Sequence, residues 1–304
     1  MTDATLGIKV DVDTLRGYLE GVPALLALFR KRGIRASFFF SMGPDNSGKA
    51  IRRVFRPGFL AKMLRTKAPS TYGFRTLLYG TLLPAPMIVS TDPGILANAA
   101  AEGHDCGVHC WDHVKWQDRL PTLSEGEIRR DFARAFDLFR SVTGRAAKSC
   151  AAPGWQTTPA SLSVQDGFDL DYASDVREGR YPFYPKAGGR TFKTLQLPTT
   201  LPTLDEIYGT MPESDIPERY AAQLKPGFNL HTIHAEMEGL GQMDLFERIL
   251  DRCAEAGAVF SALDDIAARC EGTLAPVCGV AAGRLAGRAG TLTIQMTACE
   301  EERR

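Results

Sequence analysis

The feature that most narrows what this chain can fold into is a beat that recurs along it: an amphipathic helical stretch, a glycine, then a short apolar run rich in β-formers. Gly33 precedes IRASFFF, Gly103 precedes HDCGVH, Gly144 precedes RAAKSCAA, Gly167 precedes FDLDYAS and Gly257 precedes AVFSAL. A residue just past a helix end commonly takes positive φ, which glycine adopts without strain, so each glycine marks a helix stop ahead of a strand. Helix starts are legible too: Asp92-Pro93 places an N-cap before a proline at the first helical position, and Ser124 with Glu127 fits a capping box. Strands are predicted near 6–12, 35–41, 105–109, 147–151, 170–174, 192–197, 228–233 and 258–260, with helices near 17–32, 93–102, 124–142, 158–165 and 243–256. Serial β/α units make a parallel α/β sheet, and this pattern suits a (β/α) barrel of seven or eight strands better than an open sheet. No G-x-G-x-x-G follows the first strand, which counts against dinucleotide binding.

One barrel of about 250 residues accounts for most of the 304-residue chain. The predicted organisation is a barrel over 1–270, an insertion at 43–91 between the second and third strands, and a Gly- and Ala-rich tail at 271–304. The tail has no clear period and is expected to be flexible. Seven scattered cysteines without a C-x-x-C pair read as reduced thiols rather than a disulfide framework. No apolar stretch of the secretory type opens the sequence, so the cytoplasm is the expected location.

The first strand ends in Val10-Asp11-Val12-Asp13. Alternate strand residues face one side, so the two carboxylates share one space, roughly 6–7 Å apart at Cα. In a barrel, active sites form at the carboxyl ends of strands. The third strand runs into His109-Cys110-Trp111-Asp112-His113, whose two histidines can converge on one ion if a helical turn follows the strand. Two imidazoles and a carboxylate suit one divalent metal ion, whether Zn, Mn, Co, Fe or Ni. Near the end comes Leu230-His231-Thr232-Ile233-His234. On a strand His231 and His234 face opposite sides, and His234 is preferred because it lies nearer the carboxyl end.

Together these residues resemble the polysaccharide deacetylases of the NodB-homology type, metal-dependent N- and O-deacylases on a distorted (β/α)7 TIM-like barrel. The resemblance implies Asp11 as general base, Asp13, His109 and His113 as metal ligands, and His234 as general acid. It matches the family's acidic fourth motif to Asp175, with a role beside the histidine or the substrate. The third motif departs: the family's arginine before a proline is absent from Ala151-Ala152-Pro153-Gly154-Trp155. What positions Asp11 is thereby left open, and Trp155 and Pro153 become candidates for lining a sugar pocket. FFFSMGPDNSG, HCWDH, PTTLPTLDEI and TIHAEMEG bring the chain closest to the branch that deformylates undecaprenyl-phosphate 4-deoxy-4-formamido-L-arabinose, releasing formate and an aminoarabinose lipid for lipid A modification. A deacetylase of another N-acylated sugar and a non-catalytic sugar-lipid binding barrel are the other readings.

Charge bears on the substrate. Overall the chain balances 36 basic against 36 acidic residues, yet 49–91 holds Lys49, Arg52, Arg53, Arg56, Lys62, Arg65, Lys67 and Arg75 without one Asp or Glu. These alternate with Phe55, Phe59 and other apolar residues, and a charge-free stretch from Thr76 to Thr91 follows. That stretch is too short and too broken by glycine and proline to span a bilayer. The pattern fits an interfacial segment in which Arg52, Arg53, Phe55, Arg56, Phe59, Lys62 and Arg65 meet an anionic membrane surface. No nucleic-acid motif accompanies the charge. The expectation is a peripheral protein on the inner face of the cytoplasmic membrane, acting on a lipid-linked sugar substrate.

Overall fold

A computed structural model of the chain describes residues 4–50, 73–270, 275–288 and 290–296. The predicted strands are all present: β1 (Ala4–Val12), β2 (Ser37–Ser41), β3 (Asp105–Cys110), β4 (Ser149–Cys150), β5 (Tyr172–Ala173), β8 (Leu195–Gln196), β9 (Gly227–His234) and β10 (Ala258–Ser261). Between β5 and β8 lie β6 (Tyr184–Ala187) and β7 (Arg190–Thr191), and β11 (Val277–Gly283) and β12 (Leu292–Gln295) close the chain. The main sheet is parallel throughout, ordered β9-β1-β2-β3-β4-β5-β8, with β10 pairing the first residues of β1. Its two ends meet where the amides of Thr200 and Leu201 both donate to the Leu230 carbonyl at 3.1 Å. The result is a distorted parallel barrel.

Register decides what faces the interior. Lys9 and Asp11 of β1 pair with Thr232 and His234 of β9 and with Ser37 and Phe39 of β2. In-register residues of parallel strands share a face, so all six belong to the inner one. Phe39, Ala151, Tyr172, Leu195, Leu197 and Leu230 fill the interior, whereas Ile8, Val10, Phe38, Phe40 and Ile233 pack outward against the helices. Burying each such phenylalanine contributes about 1.5–3 kcal/mol. Glycines stop the helices as predicted at Gly33 and Gly144, with φ of 63° and 72°.

The tail differs from expectation. β11 and β12 form a hairpin whose first strand also pairs with β6, giving a second sheet in the order β12-β11-β6-β7. The Arg177 amide donates to the Thr293 carbonyl at 2.9 Å and the Gln295 amide to the Arg177 carbonyl at 3.1 Å, so residues 277–295 are tied to the segment after β5. Val277-Cys-Gly-Val-Ala-Ala-Gly283 lacks the alternation that announces a half-buried strand, and its partner β6 lies far away in sequence, which leaves no local signal to read.

The insertion is pinched at its base by a bridge between Pro44 and Met87 and by the Gly48 amide donating to the Tyr79 carbonyl at 3.0 Å. Arg52, Arg53, Phe55, Arg56, Phe59, Lys62 and Arg65 lie outside the described residues. Among the described residues no helix is long and apolar enough to cross a membrane.

Candidate active site and metal centre

At the carboxyl end of the barrel, Asp13, His109 and His113 converge, with one ligand atom from each within 4.8 Å of the others. Asp13 Oδ1 lies 3.2 Å from His109 Nε2, and Asp13 Oδ2 lies 3.2 Å from His113 Nε2. Sequence-local features aim the two imidazoles. The β2–β3 register slips between Phe40 and Ser41, which pair with Val108 and Cys110, so His109 is the extra residue of a bulge. Bulges re-aim side chains at the rims of barrels. His113 opens a helix (His113–Arg119) capped by Asp112, whose Oδ1 accepts from the Lys115 amide at 2.9 Å.

The loop after β2 holds this cap. Asn46 Nδ2 donates to Asp112 Oδ2 at 2.7 Å, and Asp45 Oδ2 accepts from the Leu15 amide at 2.8 Å, tying the loop after β1 to the same frame. Gly43 is required by close approach: its amide donates to the Trp111 carbonyl at 3.0 Å, and an added Cβ would come within 2.3 Å of that oxygen.

The donor set fits a divalent cation. Asp13 Oδ1 is buried without a well-aligned hydrogen bond although His109 Nε2 lies only 3.2 Å away, so a carboxylate oxygen and an imidazole nitrogen stand close together in a place a shared cation would fill. Burial pushes the Asp13 carboxyl up, but the combined pull of His113 and His109 outweighs it and holds the group well below the usual carboxylate range. An ionised carboxylate beside two imidazoles is a ligand set with open positions.

Asp11 is almost fully buried, with Oδ2 3.2 Å from Lys9 Nζ and Oδ1 3.9 Å from His109 Nδ1. His234 sits beside it in register, and its Nδ1 is buried without a hydrogen-bond partner. The strand turns the two late histidines to opposite faces. His231 faces the helices, its ring stacked on Tyr220 with centroids 4.5 Å apart, and burial pulls its pKa down to about 3.

Two expected roles meet other surroundings. Both carboxylate oxygens of the buried Asp175 are taken by groups other than His234: its Oδ1 accepts from the Ala152 amide at 2.7 Å, and its Oδ2 from Gln165 Nε2 at 2.7 Å and Gln196 Nε2 at 3.0 Å. With both oxygens so engaged, it orders the third motif instead. Trp155 and Pro153 are likewise buried rather than presented to a sugar. The Trp155 indole donates to Thr199 Oγ1 at 3.1 Å, and its ring packs among Lys9, Arg177 and Arg288.

Sequence reasoning passed over Lys9, Glu236 and Glu238. Both oxygens of Glu236 are buried without a partner, and burial, then the Asp13 charge, push its carboxyl well above its usual range. Glu238 Oε2 accepts from the His234 amide at 2.9 Å, and burial raises its pKa to about 8. An alternation count at HAEMEG would not find them, because they lie beyond the strand end.

Residues 13–173 match the polysaccharide deacetylase family, which is more than half of the chain. The chain belongs to that family. Two relatives extend the likeness beyond the family's core segment. A protein of Shewanella sediminis (strain HAW-EB3), named as a probable 4-deoxy-4-formamido-L-arabinose-phosphoundecaprenol deformylase ArnD, is 40% identical over 258 residues, covering 84% of this chain and 83% of its own. A protein of the same name from Wigglesworthia glossinidia brevipalpis is 32% identical over 252 residues, covering 81% and 87%. Among solved structures, a probable polysaccharide deacetylase of Pseudomonas aeruginosa PAO1 superposes with a TM-score of 0.62 at 14% identity, covering 90% of this chain and 93% of that one. The Puue allantoinase does so with a TM-score of 0.61 at 13% identity, covering 89% and 91%. At such identities these two likenesses speak for the shared fold.

Proposed function

We propose that the chain is an amide hydrolase that removes the formyl group from undecaprenyl-phosphate 4-deoxy-4-formamido-L-arabinose, releasing formate and the aminoarabinose lipid. The relatives sharing 40% and 32% of its residues over most of its length support the substrate. The observation that carries the reaction is the convergence of Asp13, His109 and His113 at the barrel end, with Asp11 and His234 in register beside them.

Formamide hydrolysis needs an activated water, a place for charge on the acyl oxygen, and a proton for the departing amine. A divalent ion held by Asp13, His109 and His113 would supply Lewis acidity toward the acyl oxygen and toward water. Asp11 accepts the proton from the attacking water; its Oδ1 has no hydrogen-bond partner and can take one. His234 lies across the β1–β9 pair and gives a proton to the amine nitrogen as the carbon–nitrogen bond breaks.

The insertion would bring the barrel to a bilayer. In its described part Phe74 is 73% exposed and Leu82 82% exposed, in a segment whose charged residues over 49–91 are all basic. A lipid-linked sugar stays in the membrane, so a peripheral approach at an anionic surface suits it.

Presenting the purified protein with the formamido lipid and its acetamido analogue tests the acyl group. Faster release of formate than of acetate is expected. Preferential release of acetate would assign a deacetylase instead.

A further inference from the structure

The family's third-motif arginine is absent here, yet a cation stands next to the proposed base. Lys9 precedes Asp11 by two residues on β1, so strand alternation directs both side chains inward. Its side chain has no solvent exposure. The ammonium is satisfied on several sides: Asp11 Oδ2 at 3.2 Å, the Ser174 carbonyl at 3.1 Å, the Trp155 ring at 5.1 Å and the Phe39 ring at 5.7 Å.

Taking an ammonium and a carboxylate out of water together is costly, and replacing both members of a buried ion pair by apolar side chains of similar size is often neutral or stabilising, although removing one member alone is not. Stability alone therefore does not account for a lysine inside the barrel. Geometry supplies another reason. Lys9 engages Oδ2 of Asp11 and leaves Oδ1, which has no hydrogen-bond partner, turned toward the His109 side of the site. The other nearby carboxylate, Asp175, feels the Lys9 charge but has its oxygens hydrogen-bonded to Ala152, Gln165 and Gln196, so the ion pair Lys9 makes is with Asp11.

The cradle for Lys9 is itself built by unusual backbone. Trp155 has φ of 53°, a left-handed conformation that bulky residues rarely adopt. Its amide donates to the Ala152 carbonyl at 3.0 Å and its indole N–H to Thr199, which also bonds Thr232 at 2.8 Å. The altered third motif thus supplies an aromatic wall where an arginine is missing, and β1 supplies the charge.

We propose that Lys9 is the positioning residue of Asp11, holding one carboxylate oxygen so that the other is aimed at the attacking water. The proposal rests on Asp11 being the base. Its test uses the full chain as Lys9→Met, Lys9→Arg, Asp11→Asn and the double variant Lys9→Met/Asp11→Asn, with formate release from the formamido lipid, bound metal and melting temperature measured for each. Lys9→Met should lower kcat about 100-fold with KM within about threefold, because a misdirected base loses orientation rather than binding. Lys9→Arg, which keeps the charge, should recover at least about tenfold of that loss. Metal content should not change.

Melting supplies a readout that does not depend on turnover. Lys9→Met leaves a buried carboxylate without its cation and should melt lower than the parent, whereas adding Asp11→Asn in that background should restore the melting temperature without restoring activity. Additive melting effects, or a Lys9→Met kcat within threefold of the parent while Asp11→Asn is inactive, would overturn the positioning role alone. Full activity in Asp11→Asn would overturn the base assignment and the positioning role with it.

Discussion

Strand alternation and one bulge set the direction of most side chains in the site. His231 and His234 show what that is worth: three residues apart on β9, one stacks on Tyr220 among the helices and the other stands beside Asp11. His234→Ala should lower kcat about 10²- to 10⁴-fold with metal content unchanged, the span expected for loss of a general acid. His231→Phe, which fills a similar ring-shaped space, should stay within about threefold of the parent. Steady-state kinetics on the two variants checks both. Glu238 gives a prediction in pH. Burial raises its pKa from 4.5 to about 8, so between those values the folded chain holds a proton that the unfolded chain has released. Stability contributed by this group is full below pH 4.5 and falls as pH rises toward 8. Glu238→Gln cannot ionise, so melting curves should show it losing less stability than the parent over that window, with a gap of roughly 5 °C by pH 8.5. Parallel melting profiles for the two proteins would contradict this.

At the scale of elements, the chain's periodicity and punctuation were enough to read the barrel. Gly33, Gly103, Gly144 and Gly257 all take positive φ at helix ends, and Ser124 with Glu127 forms the reciprocal cap that their spacing announces. Asp11, Asp13, His109, His113 and His234 were legible because strand ends gather them, and the structure brings Asp13, His109 and His113 together. What escaped has a common cause in nonlocal pairing. The β11–β12 hairpin depends on β6, and nothing within Val277–Gly283 itself announces a strand. The resemblance gave Asp175 a role beside the histidine or the substrate, but Ala152, Gln165 and Gln196 converge on its oxygens from separate elements that the sequence does not show to be adjacent. Lys9 was overlooked because a lysine in a strand ordinarily signals a solvated face, and only closure of the barrel buries it.

Across the whole molecule, the proposed function joins two surfaces: the barrel end that would do the chemistry and the basic, apolar insertion that would meet the bilayer. Replacing both exposed side chains, Phe74→Asp with Leu82→Asp, should weaken binding to vesicles containing anionic phospholipid by at least about tenfold, while hydrolysis of a water-soluble formamido-sugar analogue is unchanged. Vesicle binding equal to that of the parent in a sedimentation assay would place the membrane contact elsewhere. The central claim is metal-dependent deformylation at the Asp13, His109 and His113 centre, and one measurement addresses it most directly. Formate release from the formamido lipid is followed for the protein as purified, after chelation, and after return of a single divalent ion, beside His109→Ala treated identically. The account predicts one formate per lipid, loss of activity on chelation, recovery on adding metal, and no recovery in His109→Ala. Undiminished formate release from the fully chelated protein, or none from protein shown to carry its metal, would contradict it.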